Sequence, residues 1–378
     1  MSQGNGRRST VIRLAGGVGL VVLMACLPLL NIVVPGVLPG ATYTPGTLHL
    51  LALAMLTAAV ALSYHLLLGV AGLLSFGHAL YFGAGVYGLG VILEQWEIPL
   101  LPAMGLTLVL VIVLANVLGA ISLRVTGIPF AMVTLSFAQA GNVLARRDPG
   151  DLTGGEEGLS LNTSVVPDFL VGVADTRNLY WLSLAALVLT YVLVTWVQSS
   201  RAGHVAEAVR ENELRVRVLG MQPYAVKLVI FVAAATIAGG VGMIYLLLQN
   251  NAVPHVLSAD YTITLLLMVV LGGVGSRWGA IAGAVVYTLL VQRLTVLASS
   301  EAVAGLPAVL RIPLSEPMFI LGTLFVLVVL FLPGGIAGGA ATLRRRRSGR
   351  AGTGVTDDLR GRQDVDEHPL EDVVTEPR

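Results

Sequence analysis

Charge is what this chain mostly lacks. Only 12% of its 378 residues are Asp, Glu, Lys or Arg, about half the fraction usual in a soluble domain. Cysteine is nearly absent too. Cys26 stands alone inside an apolar run, so no intramolecular disulfide is possible and the redox compartment stays undecided. No G-x-x-x-x-G-K-[ST] run occurs, so the chain has no P-loop to cradle ATP phosphates. The histidines His49, His65, His78, His204, His255 and His368 are scattered without metal-ligand spacing. No Ser-His-Asp reading has support. The net charge is +1, and no basic, aromatic-interleaved surface suggests a nucleic-acid partner.

What remains is apolar. Hydrophobic residues make up 55% of the chain, and the mean hydropathy is +0.82. The stretches between Arg13 and Glu94 and between Lys227 and Asp260 carry no charge. A membrane crossing needs ~20 mostly apolar residues. Backbone groups in lipid must bond internally, so such spans are helices. The reading is an all-α, polytopic membrane protein. Ten helices are expected, at about 14–34, 48–69, 79–95, 99–122, 127–145, 179–197, 227–247, 260–276, 278–298 and 314–333. The start, Arg7-Arg8 before an apolar run, fits either a secretory signal or a first spanning helix. The length of the run and the spans that follow favour an uncleaved helix.

Orientation follows the bias of Lys and Arg near the ends of the spans. With the N-terminus inside, 18 of the 23 basic residues fall on the cytoplasmic side, including Arg7, Arg8, Arg13, Arg124, Lys227 and Arg277. Arg146, Arg147, Arg177, Arg293 and Arg311 fall on or near the outer side. Both termini are then expected to be cytoplasmic. The pair Arg146-Arg147 is the exception, and Asp148, Asp151, Glu156 and Glu157 follow it closely.

Three regions result: an N-terminal segment (1–13), a transmembrane region (14–338) and a tail (339–378). The largest external segment, about 147–178, is rich in Gly, Asp and Glu and reads as a loop or a short surface helix. The run Arg344 to Arg347 is a basic stop facing anionic lipid. The residues beyond it have the composition of a disordered, solvated tail. Small residues recur at spacing four in Ala79/Gly83, Ala84/Gly88, Ala235/Gly239, Ala238/Gly242, Gly279/Gly283 and Ala280/Ala284. Such faces let helix backbones approach, and packing within the bundle is the expected use.

One island of charge interrupts this apolar chain, RAGHVAEAVRENELRVRVLGMQPYAVK at 201–227. Lipid cannot hold so many charges, so the island lies in water. Glu211/Arg215 and Glu213/Arg217 are i,i+4 pairs with the acid first, the favourable order in a helix. Val205, Val209, Val216 and Leu219 supply an apolar edge. Gly220 is a natural helix stop, and Pro223 limits the restart. A helix over about 203–220 would suit a groove on a cytoplasmic partner. A solvated loop with incidental pairs is the alternative.

The stretch AEAVRENELRVRVLG resembles the cytoplasmic coupling loop of ABC importer permeases. RENELRVRVLG in particular is similar to permeases for branched-chain (hydrophobic) amino acids. So are GVAGLLSFGHALYFGAGVY (69–87), GIPFAMVTLSFAQ (127–139), LTGGEEGLS (152–160), LMVVLGGVGSRWGAIAGAV (267–285) and LFLPGGIAG (330–338). The resemblance covers roughly residues 50–338; the acidic tail lies outside it. It implies an inner-membrane, non-enzymatic transport subunit that binds no cofactor. ATP and Mg would be held by partner ATPases. A second related permease and an external solute-binding protein would complete the assembly. It carries over as the ATPase-coupling set Glu207, Ala208, Arg210, Glu211, Asn212, Glu213, Arg215 and Gly220. Urea and short-amide permeases look similar and stay open as substrates. An ion-coupled secondary transporter is the rival of another class, and it predicts an intramembrane acid.

Candidates for the path itself are weaker. Ser75-Phe76-Gly77-His78 has the form of a Gly-rich break before a helix. A broken helix can line a cavity with free backbone groups. For His78 a packing or helix-capping role at the inner membrane face is the favoured reading. The same pattern recurs at Gly127-Ile128-Pro129, where Pro129 suits a helix start, and at Gly272-Gly273-Val274-Gly275. Thr134 and Ser136 lie about 200° apart on a helix, so they cannot share a face. Ser136 and Gln139 then form a weak polar stripe. Ordinary interhelical hydrogen bonding is the competing use of these side chains. The path set is thus Ser75, Gly77, His78, Ser136, Gln139, Gly272 and Gly273.

Overall fold

A computed structural model describes residues 16–33, 38–172, 175–298, 316–331 and 334–338. The N-terminal segment 1–13 and the tail 339–378, with its expected disorder, lie outside the described residues. Among the described residues, each expected apolar segment overlaps a helix. These helices are α1 (Gly16–Leu29), α2 (Pro45–Val70), α3 (His78–Trp96), α4 (Leu100–Ser122), α5 (Ile128–Arg147), α6 (Thr176–Ser199), α9 (Pro223–Gln249), α10 (Ala259–Gly272), α11 (Arg277–Ala298) and α12 (Pro317–Phe331). The charged island supplies α7 (Arg201–Glu211) and α8 (Glu213–Val218).

Six of these helices are long and apolar enough to cross a membrane: α2, α4, α5, α6, α9 and α11. α1 covers 14 described residues. Pro28 cannot donate to the carbonyl four residues back, so the helix tightens into a 3-10 turn at Leu27–Leu29. Side chains of α6 satisfy the freed carbonyls. The Tyr180 hydroxyl donates to Met24 O at 2.7 Å and Trp181 Nε1 to Ala25 O at 3.2 Å. Arg177 donates to Pro28 O at 3.2 Å. α10 ends at Gly272, four residues before its expected end, because Gly273 turns to φ 109°.

The centre of the bundle is α2. Its sequence is apolar on every side, as a fully surrounded helix requires. In its most apolar stretch 83% of residues are buried, against 22% in α4. Ala52, Leu56, Ala59, Val60 and Leu62 have no exposure. α6, α9, α10 and α11 surround it. Hydropathy alone could not separate α2 from α4, since both are apolar throughout.

The small-residue faces do pack inside the bundle. A Cβ on Gly85 would run into the Gly239 carbonyl, and one on Gly242 into the Phe82 carbonyl. α3 and α9 therefore touch backbone to backbone. α10 and α11 form a second close pair, with Gly272 against Gly279 and Gly283 against Met268.

The described residues of the segment expected to be external, between α5 and α6, form a loop rather than a surface helix. It holds 3-10 turns at Thr163–Val165 and Asp168–Leu170. It also holds an unforeseen two-residue ladder, β1 (Leu159–Ser160) antiparallel to β2 (Asn251–Ala252). Arg146 reaches Asn142 at 3.0 Å and Glu156 at 3.3 Å, so one of the two misplaced arginines is paired with the acids that follow it. Asp148, in a left-handed conformation, accepts from Thr153 N at 2.6 Å and closes the turn. These backbone bonds, from Thr153 first, hold its carboxyl below the usual range.

Candidate functional site

The charged island is not one helix. Asn212 breaks it, with φ −159° and ψ 97°. Its side-chain oxygen accepts from Arg215 N at 2.9 Å, which makes it the N-cap of α8. The expected single helix over 203–220 is therefore two short ones meeting at an angle. The pair Glu211/Arg215 straddles the break and forms no ion pair. The pair Glu213/Arg217 lies within α8 and closes at 3.1 Å. Gly220, at φ 79°, follows the last turn of α8, and Pro223 opens α9, both as expected.

α7 is seated on the bundle by one face. Gly203, Ala206 and Val209 are buried there, against α9, the end of α6 and the turn that ends α2. Glu207 accepts from Gln198 of α6 at 3.0 Å. Arg210 donates to Gly69 O within the wide π turn Leu66–Val70. The stem of Arg210 covers Gly72, whose φ of 67° and lack of a Cβ leave room for it. Such π turns concentrate at functional positions. Glu207 and Arg210, read from sequence as partner contacts, thus hold α7 to the bundle.

α8 is tied by a different bond. Lys227, at the start of α9, donates to Glu213 at 2.6 Å. Its side chain is 10% exposed, a cation almost wholly removed from water. This bond, opposed by partial burial, holds the Glu213 carboxyl below its usual range. Val216 points inward at 2% exposure. The outer face of α7 and α8 is free in the described chain. It presents Ala208, Asn212 and Arg215 beside Leu214, Val218 and Leu219, which are 69–80% exposed; Glu211 is exposed too but belongs to the lining of the cavity described below. Of the apolar edge expected from sequence, Val209 and Val216 are buried and only Leu219 is well exposed. Leu214 and Val218 were missed, although their i,i+4 spacing beside Leu219 marks an apolar stripe.

The three expected helix breaks lie apart: Gly127-Ile128-Pro129 is exposed at the start of α5, while Ser75, Gly77 and His78 at one break and Gly272-Gly273 at another are buried. Residues 71–77 join the end of α2 to α3 without regular structure. A buried irregular segment must find partners for its backbone groups. Phe76 N donates to Thr134 Oγ1 of α5 at 3.1 Å. Ala79 N donates to Thr262 Oγ1 of α10 at 3.0 Å. Gly77 N donates to Ser75 Oγ at 3.2 Å, and the Tyr64 hydroxyl to Ser75 O at 3.0 Å. Gly77 sits so close to α5 that a Cβ would strike the Thr134 carbonyl. His78 is fully buried, 2.9 Å from Ser63 Oγ through Nε2, with its ring 5.3 Å from that of Tyr64.

These contacts bring Ser75, Gly77 and His78 together as a joint between helices. Thr134 and Thr262 belong to that joint. Sequence reading saw Thr134 as polar but passed it over, and Thr262 carried no signal. Ser136 and Gln139 lie on the opposite, exposed face of α5; Ser136 bonds back to Met132 O at 3.0 Å. Gly272 and Gly273 form the separate α10–α11 joint, where Gly273 abuts Gly334 and Gly335. The path residues therefore divide among two buried joints and one outward stripe.

A cavity of about 490 Å³ opens beneath α7. His65, Gln198, Glu207, Arg210 and Glu211 line it, with Gly69 and Gly275. Among the described residues no group of three or more His, Cys, Asp or Glu is arranged to hold a metal ion.

Known proteins resemble the chain across this whole arrangement. Residues 46–329 match the model of the family "branched-chain amino acid transport system / permease component". The high-affinity branched-chain amino acid transport system permease protein LivM of Escherichia coli (strain K12) is 24% identical over 316 residues, 77% of this chain and 70% of that protein. The probable LivM permease of Methanocaldococcus jannaschii is 24% identical over 314 residues, 73% of this chain and 89% of that protein. No solved structure gives a significant match. The matched span runs from α2 into α12 and takes in both helix joints and the seated α7–α8 pair, so this multi-pass membrane protein belongs to the family of permease components of branched-chain amino-acid transport systems.

Proposed function

We propose that the chain forms half of the translocation path of an ABC importer for branched-chain or related hydrophobic amino acids. α7 and α8 are the handle through which a cytoplasmic ATPase moves it. One observation carries this reading. The pair is bolted to the bundle on one face by Arg210, Glu207 and the Glu213–Lys227 bond. The other face offers Leu214, Arg215, Val218 and Leu219 to a partner, with the exposed Glu211 between that face and the cavity it lines. ATP and Mg belong to that partner, and an extracytoplasmic binding protein delivers the solute.

Movement of α7 pulls on Gly69 and Gly72 through Arg210, and so on the 71–77 joint beyond them. The joint's contacts with α5 and α10 pass that movement to the helices around it. The outward stripe of Ser136 and Gln139 favours a second permease, or the water between the two, over lipid as its neighbour, because an amide in hydrocarbon is costly. Both termini lie in the cytoplasm in this reading. The six long apolar helices hold no Asp or Glu, which counts against an ion-coupled carrier.

The test is uptake into vesicles holding the reconstituted permeases, ATPases and binding protein. Leucine uptake is expected to require ATP and to survive an uncoupler at constant ATP. Collapse with the uncoupler would favour the ion-coupled rival. Uptake of urea or a short amide in preference to leucine would replace the substrate. A reporter inserted at about residue 160 is expected outside the cell; a cytoplasmic signal would reverse the orientation.

A further inference from the structure

We propose that the cavity beneath α7 binds the zwitterion of a free α-amino acid from the cytosol, as a product-side brake on the handle. The inference rests on the orientation and handle proposed above. Its basis is the chemistry of the lining. Arg210 spends one donor on Gly69 O and keeps others of its five for a carboxylate. Glu207 and Glu211 sit one turn apart on α7, and neither takes part in an ion pair among the described residues. Gln198 contributes a buried oxygen, Oε1, with no hydrogen-bond partner, and His65, 1% exposed, a buried Nδ1 in the same state. The unspent Gln198 oxygen beside two carboxylates calls for an ammonium group, and the guanidinium calls for the opposite charge on the same ligand.

The volume of about 490 Å³ exceeds what a small amino acid fills. The lining supplies no Leu, Ile, Val, Met or Phe, so a longer aliphatic side chain gains little there. The site should therefore read the two charges and ignore the side chain, unlike a transport path for hydrophobic amino acids. Its position gives the consequence. A ligand bridging Glu207 and Arg210 of α7 to His65 of α2 and Gln198 of α6 would add to the two bonds already there and hold the handle in the one position in which these four groups converge. A rising cytosolic pool would then slow further import.

The test uses the assembled permeases and ATPases in detergent, without the binding protein, and equilibrium binding of radiolabelled glycine. Glycine is expected to bind, and leucine to displace it with an affinity within about threefold, since no apolar wall rewards the longer chain. Leucinamide and 4-methylpentanoate, each lacking one charge, should displace it at least about tenfold more weakly. Glu207→Gln should weaken glycine binding by about tenfold. Gly275→Trp should abolish it by filling the space, since a Cβ there meets nothing within 4 Å. Glycine on the ATPase side should slow ATP-driven leucine uptake, and Gly275→Trp should remove that inhibition. Absence of glycine binding, or binding indifferent to both variants, overturns the inference while leaving ATP-driven uptake intact. Binding of leucine with no binding of glycine assigns the signal to the transport path and also overturns it. Loss of ATP-driven uptake by the unaltered complex refutes the proposed function instead.

Discussion

Replacing Arg210 by alanine separates docking from force transmission. Arg210 makes one charge-assisted bond to Gly69 O and packs its stem on Gly72. A hydrogen bond to a charged group contributes roughly 1.5–3 kcal/mol. Arg210 is largely exposed, so solvent screening reduces this to about 1–2 kcal/mol. A loss of that size shifts an equilibrium by a factor of about 5–30. The shift falls on the contact between α7 and the α2 turn, not on the outer face. Purified complexes should keep their ATPase subunits and their ATP hydrolysis. Solute moved per ATP in proteoliposomes should fall by about 5–30-fold. Arg210→Lys keeps the charge but not the planar fork, so it should fall in between. Leu214→Asp, on the exposed stripe, is the contrasting variant and should release the ATPase. An unchanged transport-to-hydrolysis ratio in Arg210→Ala, or loss of the ATPase to the same extent as in Leu214→Asp, would refute the division of labour between the two faces.

Other outcomes follow from single contacts. Thr134→Val leaves the Phe76 N–H without its partner in a buried joint and should cost about 1–3 kcal/mol, whereas Ser136→Ala on the exposed face should stay within about 0.5 kcal/mol. Thermal unfolding in detergent compares the two, and equal effects would contradict the placement of Thr134 in the joint and Ser136 outside it. Gly242→Leu must push α9 off the Phe82 carbonyl and should cost at least about 1–3 kcal/mol, while Gly240→Ala on the same helix meets nothing within 4 Å and should be tolerated. Acid should loosen α8. The Glu213 carboxyl is depressed by Lys227 from its ordinary value of 4.5, so its contribution is complete above that pH and lost as the pH falls through the lower folded value. A spin label at Val218 reads this as increased mobility, and Glu213→Gln should show the mobile spectrum already at neutral pH. Reversing charge at Glu211 or Arg215 should uncouple hydrolysis from uptake with insertion unimpaired, and normal coupling would argue against the handle.

The membrane class of this protein, its helical segments and its charged island are properties of sequence. They follow from composition and from the period of apolar residues, which act locally. An apolar run such as 228–248 must avoid water whatever surrounds it. The helix ends at Gly220 and Pro223 are equally local, because each residue limits its own backbone; Pro28 acts in the same way inside a run expected as one helix over 14–34. The family, too, was legible in short motifs. Tertiary structure decided which polar residue serves which purpose. Glu207 and Glu211 are one turn apart, alike in type and line the same cavity, yet Glu207 accepts from Gln198 and Glu211 makes no ion pair among the described residues. Thr134 and Ser136 differ by two positions, and only Thr134 meets the 71–77 joint. Asn212 divided the handle by taking Arg215 N as a capping partner, a choice between two backbone conformations of similar energy. Such outcomes depend on which helices lie side by side. That neighbourhood is set by close backbone packing, of Gly85 on Gly239 and of α2 among four helices, and residue spacing along the chain does not encode it.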